Sequence, residues 1–204
     1  MKKLFFIVLV WLISITTSGQ TTELKGALGV SFGCNKEEVR TMMRAKYPEA
    51  VFDQEKNNVL YYEGGSWLNR KVALWGFGFT ADNELHSIII VIPPVHNSLT
   101  FDTYDAVVKD LSVKYGQPHN QIENFKYPYD SKDKEDHGIT ALKAGKCTVM
   151  SFWEYPNPLG TNDNEANCIL VEITLSLATK VTYQNGVLFY KNKKQVDSKN
   201  LNEM

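Results

Sequence analysis

FDTYDAVVKDLSVKYGQP, residues Phe101–Pro118, is the stretch that decides how the chain is read. Tyr104, Val107, Val108, Leu111 and Tyr115 fall at i, i+3, i+4, i+7 and i+11, so one face of a helix is apolar and turns towards a core. Gly116 stands where helices commonly end, and Pro118 keeps the helix from resuming. Slid back along the chain until Val107 falls on Val39, the same segment puts Leu111 on Met43, Lys114 on Lys46 and Tyr115 on Tyr47, and Pro48 closes the earlier helix. The recurrence predicts two copies of one unit.

The earlier helix has its own start signal. Asn35 with Glu38 three residues on forms a capping-box pattern, and Cys34 and Val39 take the flanking places of a hydrophobic staple. Thr100 or Asp102 is the expected cap of the later helix. Between the helices the hydrophobic period falls to two, which predicts strands over Ala50–Asp53, Val59–Glu63, Lys71–Thr80 and Leu85–Ile92. A three-residue loop at Ala81–Asn83 sets Phe79 opposite Leu85, Phe77 opposite Ser87, Trp75 opposite Ile89 and Ala73 opposite Val91. Both faces of this hairpin are largely apolar, which suits a central position in a sheet or a contact surface.

After the later helix, strands are expected over Gln121–Tyr127, Ile139–Leu142, Lys146–Tyr155 and Asn167–Ala178, with Asp130–His137 (DSKDKEDH) as a solvated loop. Asn185–Gly186 reads as a two-residue hairpin turn between Thr182–Tyr183 and Val187–Tyr190. The fold class is therefore α+β, as two tandem units, each one helix packed on a three- to four-stranded antiparallel sheet. The first unit is residues 20–98, the second 99–190, and 191–204 is a polar C-terminal tail with a short surface helix as its most ordered form.

Residues 1–19 read as a signal peptide. Lys2 and Lys3 precede the apolar run Leu4–Ile15, and Thr17 and Gly19 occupy the small-residue positions before a cut at Gln20. The run is well short of the roughly 20 apolar residues that span a bilayer, so the expectation is an exported protein, periplasmic or secreted, without stable membrane insertion after cleavage. The formal net charge is −1, and loss of the two lysines makes it more negative by two. A mixed, near-neutral surface gives no electrostatic handle for nucleic acid. Cys34, Cys147 and Cys168 are odd in number. A hairpin that sets Tyr155 by Asn167 holds Cys147 and Cys168 several steps apart, beyond the ~7 Å Cα separation a disulfide allows, and leaves a bridge from Cys34 to either one open.

The segments Leu24–Gly26 (LKG), Tyr61–Trp67 (YYEGGSW), Phe77–Pro93 (FGFTADNELHSIIIVIP) and Val108–Pro118 (VKDLSVKYGQP) carry a resemblance to uncharacterised secreted proteins of Gram-negative anaerobes, with a signal peptide and two helix-plus-meander units. The fold this resemblance implies is similar to the tandem units of β-lactamase inhibitor protein, which present a sheet surface to a partner. It carries over no catalytic residue.

No catalytic or cofactor motif stands in the sequence. His86, His96, His119 and His137 lack zinc-site spacing, and Asp130, Asp133, Glu135 and Asp136 lack a calcium-loop frame. Cys34 before a helix is read as a packing residue rather than a nucleophile. The binding candidates are aromatic and near loops: Trp67, Tyr61, Tyr62, Tyr127 and Tyr129. The expectation is a binding module, not an enzyme and without cofactor. It uses an exposed sheet face for a protein of the cell envelope, or alternatively binds a glycan or small molecule.

Overall fold

The computed structural model describes residues 23–161 and 165–202. The expected signal peptide and its cut at Gln20 lie outside the described residues. In chain order the elements are β1 Gly26–Ala27, β2 Val30–Ser31, α1 Lys36–Lys46, β3 Val51–Lys56, β4 Val59–Glu63, β5 Ser66–Trp67, β6 Arg70–Lys71, β7 Leu74–Phe79, β8 Leu85–Ile92, α2 Thr100–Tyr115, β9 Asn120–Phe125, α3 Lys134–Lys143, β10 Cys147–Tyr155, β11 Asn167–Ile173, β12 Thr179–Gln184 and α4 Gly186–Asn202. The fold is α+β, with four helices and one antiparallel eight-stranded sheet in the order β3-β4-β7-β8-β12-β11-β10-β9. The strands that the sequence divides between two meanders thus lie side by side in a single sheet, joined where β8 pairs with β12.

Helix α1 starts as its sequence requires. The Asn35 side chain accepts from the backbone N–H groups of Glu37 (2.9 Å) and Glu38 (3.1 Å), and the Glu38 carboxylate accepts from Asn35 N–H at 2.9 Å. A cap of this kind stabilises by about 1 kcal/mol. Helix α2 begins differently: neither Thr100 nor Asp102 caps it, because a 3₁₀ turn at Asn97–Leu99 leads straight into the helix and the Thr100 hydroxyl instead donates back to the Asn97 carbonyl at 2.8 Å.

The two helices bury one sheet face. Trp75, Phe77, Ile88, Ile90, Val181, Ile169, Val171 and Trp153 all point into this layer and are fully buried. Val39 and Met43 of α1 and Val107 and Leu111 of α2 meet them there. Most buried polar groups in the layer are paired, as burial demands, although Thr179 Oγ1 has no partner among the described residues. Trp75 Nε1 donates to Gly64 O at 2.8 Å, Trp153 Nε1 to Gly116 O at 2.7 Å, and the Tyr104 and Ser151 hydroxyls share a bond of 2.6 Å.

Further expectations are corrected. In the β7–β8 hairpin only the Phe79–Leu85 pair falls as expected. His86 is a bulge residue, after which Gly78 pairs with Ser87, Phe77 with Ile88 and Trp75 with Ile90. The bulge brings Leu85 and also Ile88, Ile90 and Ile92 onto the core face, and all four are at most 1% exposed. Gly78 is what makes room: a Cβ there would stand 2.5 Å from Ser87 Oγ.

The Asp130–His137 loop and the Ile139–Leu142 strand are instead a 3₁₀ turn at Ser131–Asp133 followed by α3. Ala141 and Leu142 of α3 are buried, and bare Gly138 lies against the Phe101 ring. The expected strand Asn167–Ala178 stops at Ile173. Thr174 turns the chain by accepting Ala178 N–H on its hydroxyl, and Thr179 opens β12. Finally, Asn185–Gly186 is the start of α4, not a hairpin turn, and the expected tail from 191 continues that helix. Asn185 Oδ1 accepts from Leu188 N–H at 2.9 Å, which makes Asn185 a helix cap.

Candidate functional site

The second face of the sheet carries what the first does not bury. Following the register across the strands, one row runs Tyr61, Gly76, Ile89, Thr182, Leu170, Phe152. The next runs Leu74, Val91, Lys180, Glu172, Met150, Ile122. Every side chain in these rows is half-buried except Ile122, which is exposed; Gly76, without a side chain, is buried. Tyr61, Leu74, Ile89 and Val91 form one apolar cluster, and Leu170, Phe152, Met150 and Ile122 form another. Between them lies a polar stripe of Thr182 and the Lys180–Glu172 ion pair, 2.6 Å from Nζ to Oε1.

Helix α4 covers the other end of this face, beside the row Gly78, Ser87, Gln184, Cys168. Phe189 packs its edge on the His86 ring at 5.9 Å. Farther along α4, Lys191 pairs with Asp82 at 2.7 Å and with Glu84, and the Gln195 side chain bonds Ala81 N–H and Asp82. His86 is 7% exposed and its Nδ1 has no partner among the described residues. Burial pushes its pKa down to about 4, so the ring is neutral at pH 7.

The five aromatic candidates do not form one site. Tyr61 is on the open face, but Tyr62, its neighbour in β4, points the other way and is buried between Phe52 (5.4 Å) and Phe77 (6.0 Å). Alternation along a strand forces that separation. Trp67 is half-buried on the helix side of the sheet, in the small β5–β6 hairpin. Tyr127 is 90% exposed in the loop after β9, and Tyr129 in the same loop packs partly against the core.

Sequence reasoning passed over two lysines, Lys46 and Lys114, which line a cleft with Trp67. Their available signal was the recurrence of Lys–Tyr at both helix ends.

All three thiols are free, and burial raises each pKa to about 11, leaving negligible thiolate at neutral pH. Tyr155 pairs with Asn167 as expected, which sets Cys168 opposite Glu154 and far along β10 from Cys147. Among the described residues no group of three His, Cys, Asp or Glu side chains is placed to hold a metal ion, and no helix is long and apolar enough to cross a membrane. His119 accepts Glu154 N–H on Nδ1 at 2.9 Å, a structural bond within the β9–β10 edge.

Comparison with family models, curated proteins and solved structures gave no match.

Proposed function

We propose that the protein is a non-enzymatic binding module that holds a protein partner on the open face of its sheet. The observation that carries this reading is the pair of half-exposed apolar clusters, Tyr61–Leu74–Ile89–Val91 and Leu170–Phe152–Met150–Ile122, set on either side of the Lys180–Glu172 pair. Half-exposed apolar ground suits a protein partner, and a charge pair beside it can fix the partner's register.

The proposed architecture behind the face is two tandem units, residues 20–98 and 99–190. Supporting it, α1 is followed by β3, β4, β7 and β8, α2 by β9, β10, β11 and β12, and each series runs from a sheet edge inward to the β8–β12 seam. This arrangement is the one the resemblance to tandem-unit secreted proteins and to β-lactamase inhibitor protein implies. The leader-like N-terminus supports export to the periplasm or beyond, where the partner would be an envelope protein.

The test is capture from native envelope extract with the wild-type protein and with Ile89→Glu and Phe152→Glu, one charge in each cluster. Circular dichroism melts establish that each variant is folded. Retention of a partner by wild type and its loss from both variants is the expected result. A partner held equally by all three proteins, or no partner at all, overturns the reading.

The second reading, a small-molecule or glycan module, is favoured by one feature only, the cleft that Trp67 lines.

A further inference from the structure

A cleft of about 380 Å³ opens on the helix side of the sheet, between the C-terminal ends of α1 and α2. Both helices end in the same dipeptide, Lys46–Tyr47 and Lys114–Tyr115, and all four residues line the cleft. The β5–β6 hairpin adds Trp67 as a further wall, and Tyr183 lies at the base.

Neither lysine makes an ion pair among the described residues. Among the described residues that line the cleft the one acid is Asp110, and it is taken by Arg70 Nη1 at 2.6 Å. Among the described residues Lys46 Nζ donates to the Leu28 carbonyl alone, at 3.3 Å. It occupies space that the β1–β2 turn leaves open: Gly29 has φ +97°, and a Cβ on it would stand 1.9 Å from that nitrogen. Lys114 Nζ sits 4.7 Å from the centre of the Tyr115 ring. With Asp110 neutralised by Arg70, the cleft presents two uncompensated positive charges against an aromatic floor. Lysines in a last helical turn complement the helix dipole, but the dipole does not require that two of them share one aromatic-walled cavity.

The walls are firm. Tyr47 packs on Trp75 at 4.7 Å, and Tyr115 on Tyr183 at 6.2 Å. Trp67 lines the same cleft as the two lysines, and its indole N–H has no acceptor among the described residues. Convergent cations and polar hydrogens above aromatic faces are the means by which proteins hold an acidic ring compound, the acid group by charge and the ring by contact.

We propose that this cleft is a binding site for a small ring-bearing anion of the uronic-acid type, with its acid group between Lys46 and Lys114 and its ring against Trp67. The site is independent of the sheet face, since it lies on the opposite side of the sheet.

Calorimetric titration of the purified protein with glucuronate, glucose and inorganic phosphate tests it at low salt. Glucuronate is expected to bind at least tenfold more tightly than glucose. Lys46→Gln and Lys114→Gln should each weaken glucuronate tenfold or more while leaving the melting temperature within a few degrees. Trp67→Ala should weaken glucuronate and leave phosphate unchanged, separating ring from charge. The proposal is overturned if glucuronate does not bind, if glucose binds equally, or if both lysine variants bind glucuronate as wild type does. Ile89→Glu and Phe152→Glu should bind glucuronate as wild type does, so that failure of the sheet-face reading and failure of this one give different results.

Discussion

Lowering the pH should loosen the protein at one residue, His86. The imidazole is the bulge residue of β8, closed over by Phe189 of α4, and its pKa falls from 6.5 to about 4 because the charged form has lost its water. Between those values the unfolded chain takes up a proton that the folded chain refuses. Stability from this group is therefore complete above pH 6.5 and is lost as pH falls towards 4. At about 1.4 kcal/mol for each pH unit, the whole window amounts to about 3 kcal/mol, a substantial part of the 5–15 kcal/mol that typically holds a domain together. Carboxylates add their own acid dependence, so the measurement is a difference. Urea unfolding of wild type and His86→Leu at intervals from pH 7.5 to 4.5 should show the wild type losing stability faster below pH 6.5, with the gap growing by roughly 1 kcal/mol per pH unit. An NMR titration of the folded protein should find the imidazole still neutral at pH 5. Equal slopes for the two proteins, or an imidazole titrating near 6.5 in the folded state, would refute the reasoning.

Three further outcomes are expected. Asn35→Ala removes both backbone bonds of the α1 cap and should cost about 1 kcal/mol in urea unfolding. Gly78→Ala forces a methyl to within 2.5 Å of Ser87 Oγ and 3.0 Å of His86 Cε1, and should lower stability by about 1–3 kcal/mol, read as a drop in melting temperature. Cys34, Cys147 and Cys168, each held near pKa 11 by burial, should react with a disulfide reagent at pH 8 far more slowly in the native protein than in urea, and all three should become reactive together on unfolding.

The parts of the fold that were legible in the sequence are those where local chemistry and tertiary packing agree. Asn35 and Glu38 cap α1 because both bonds are made within one turn, and Val107, Val108 and Leu111 face the core because no other face of that helix is apolar. Reading fails where a local signal has two physical outcomes. Asn185–Gly186 satisfies a hairpin turn and a helix cap equally, and the β-branched and aromatic residues around it favour the first. Packing of Phe189 on His86 accompanies the second. The bulge at His86 is invisible locally, since it comes from the need to bury Ile88, Ile90 and Ile92 on the same face as Leu85. In the candidate site, Tyr61 and Trp67 were visible as aromatics near turns. That Lys46 and Lys114 line one cavity depends on where the two helix ends lie, and no local pattern encodes that.

The β8–β12 seam has a consequence for synthesis. Strand β8 is the most aliphatic in the chain, with Ile88, Ile89, Ile90, Val91 and Ile92 in succession, and its second neighbour is the last strand to be made. A chain that stops short of Thr179 leaves this strand as a bare edge, with no Lys or Pro along it to discourage pairing with another chain. The protein therefore has to be complete before its most aggregation-prone segment is sheltered. C-terminal truncations that remove β12 should accumulate in insoluble form, whereas deletions confined to the end of α4 should not.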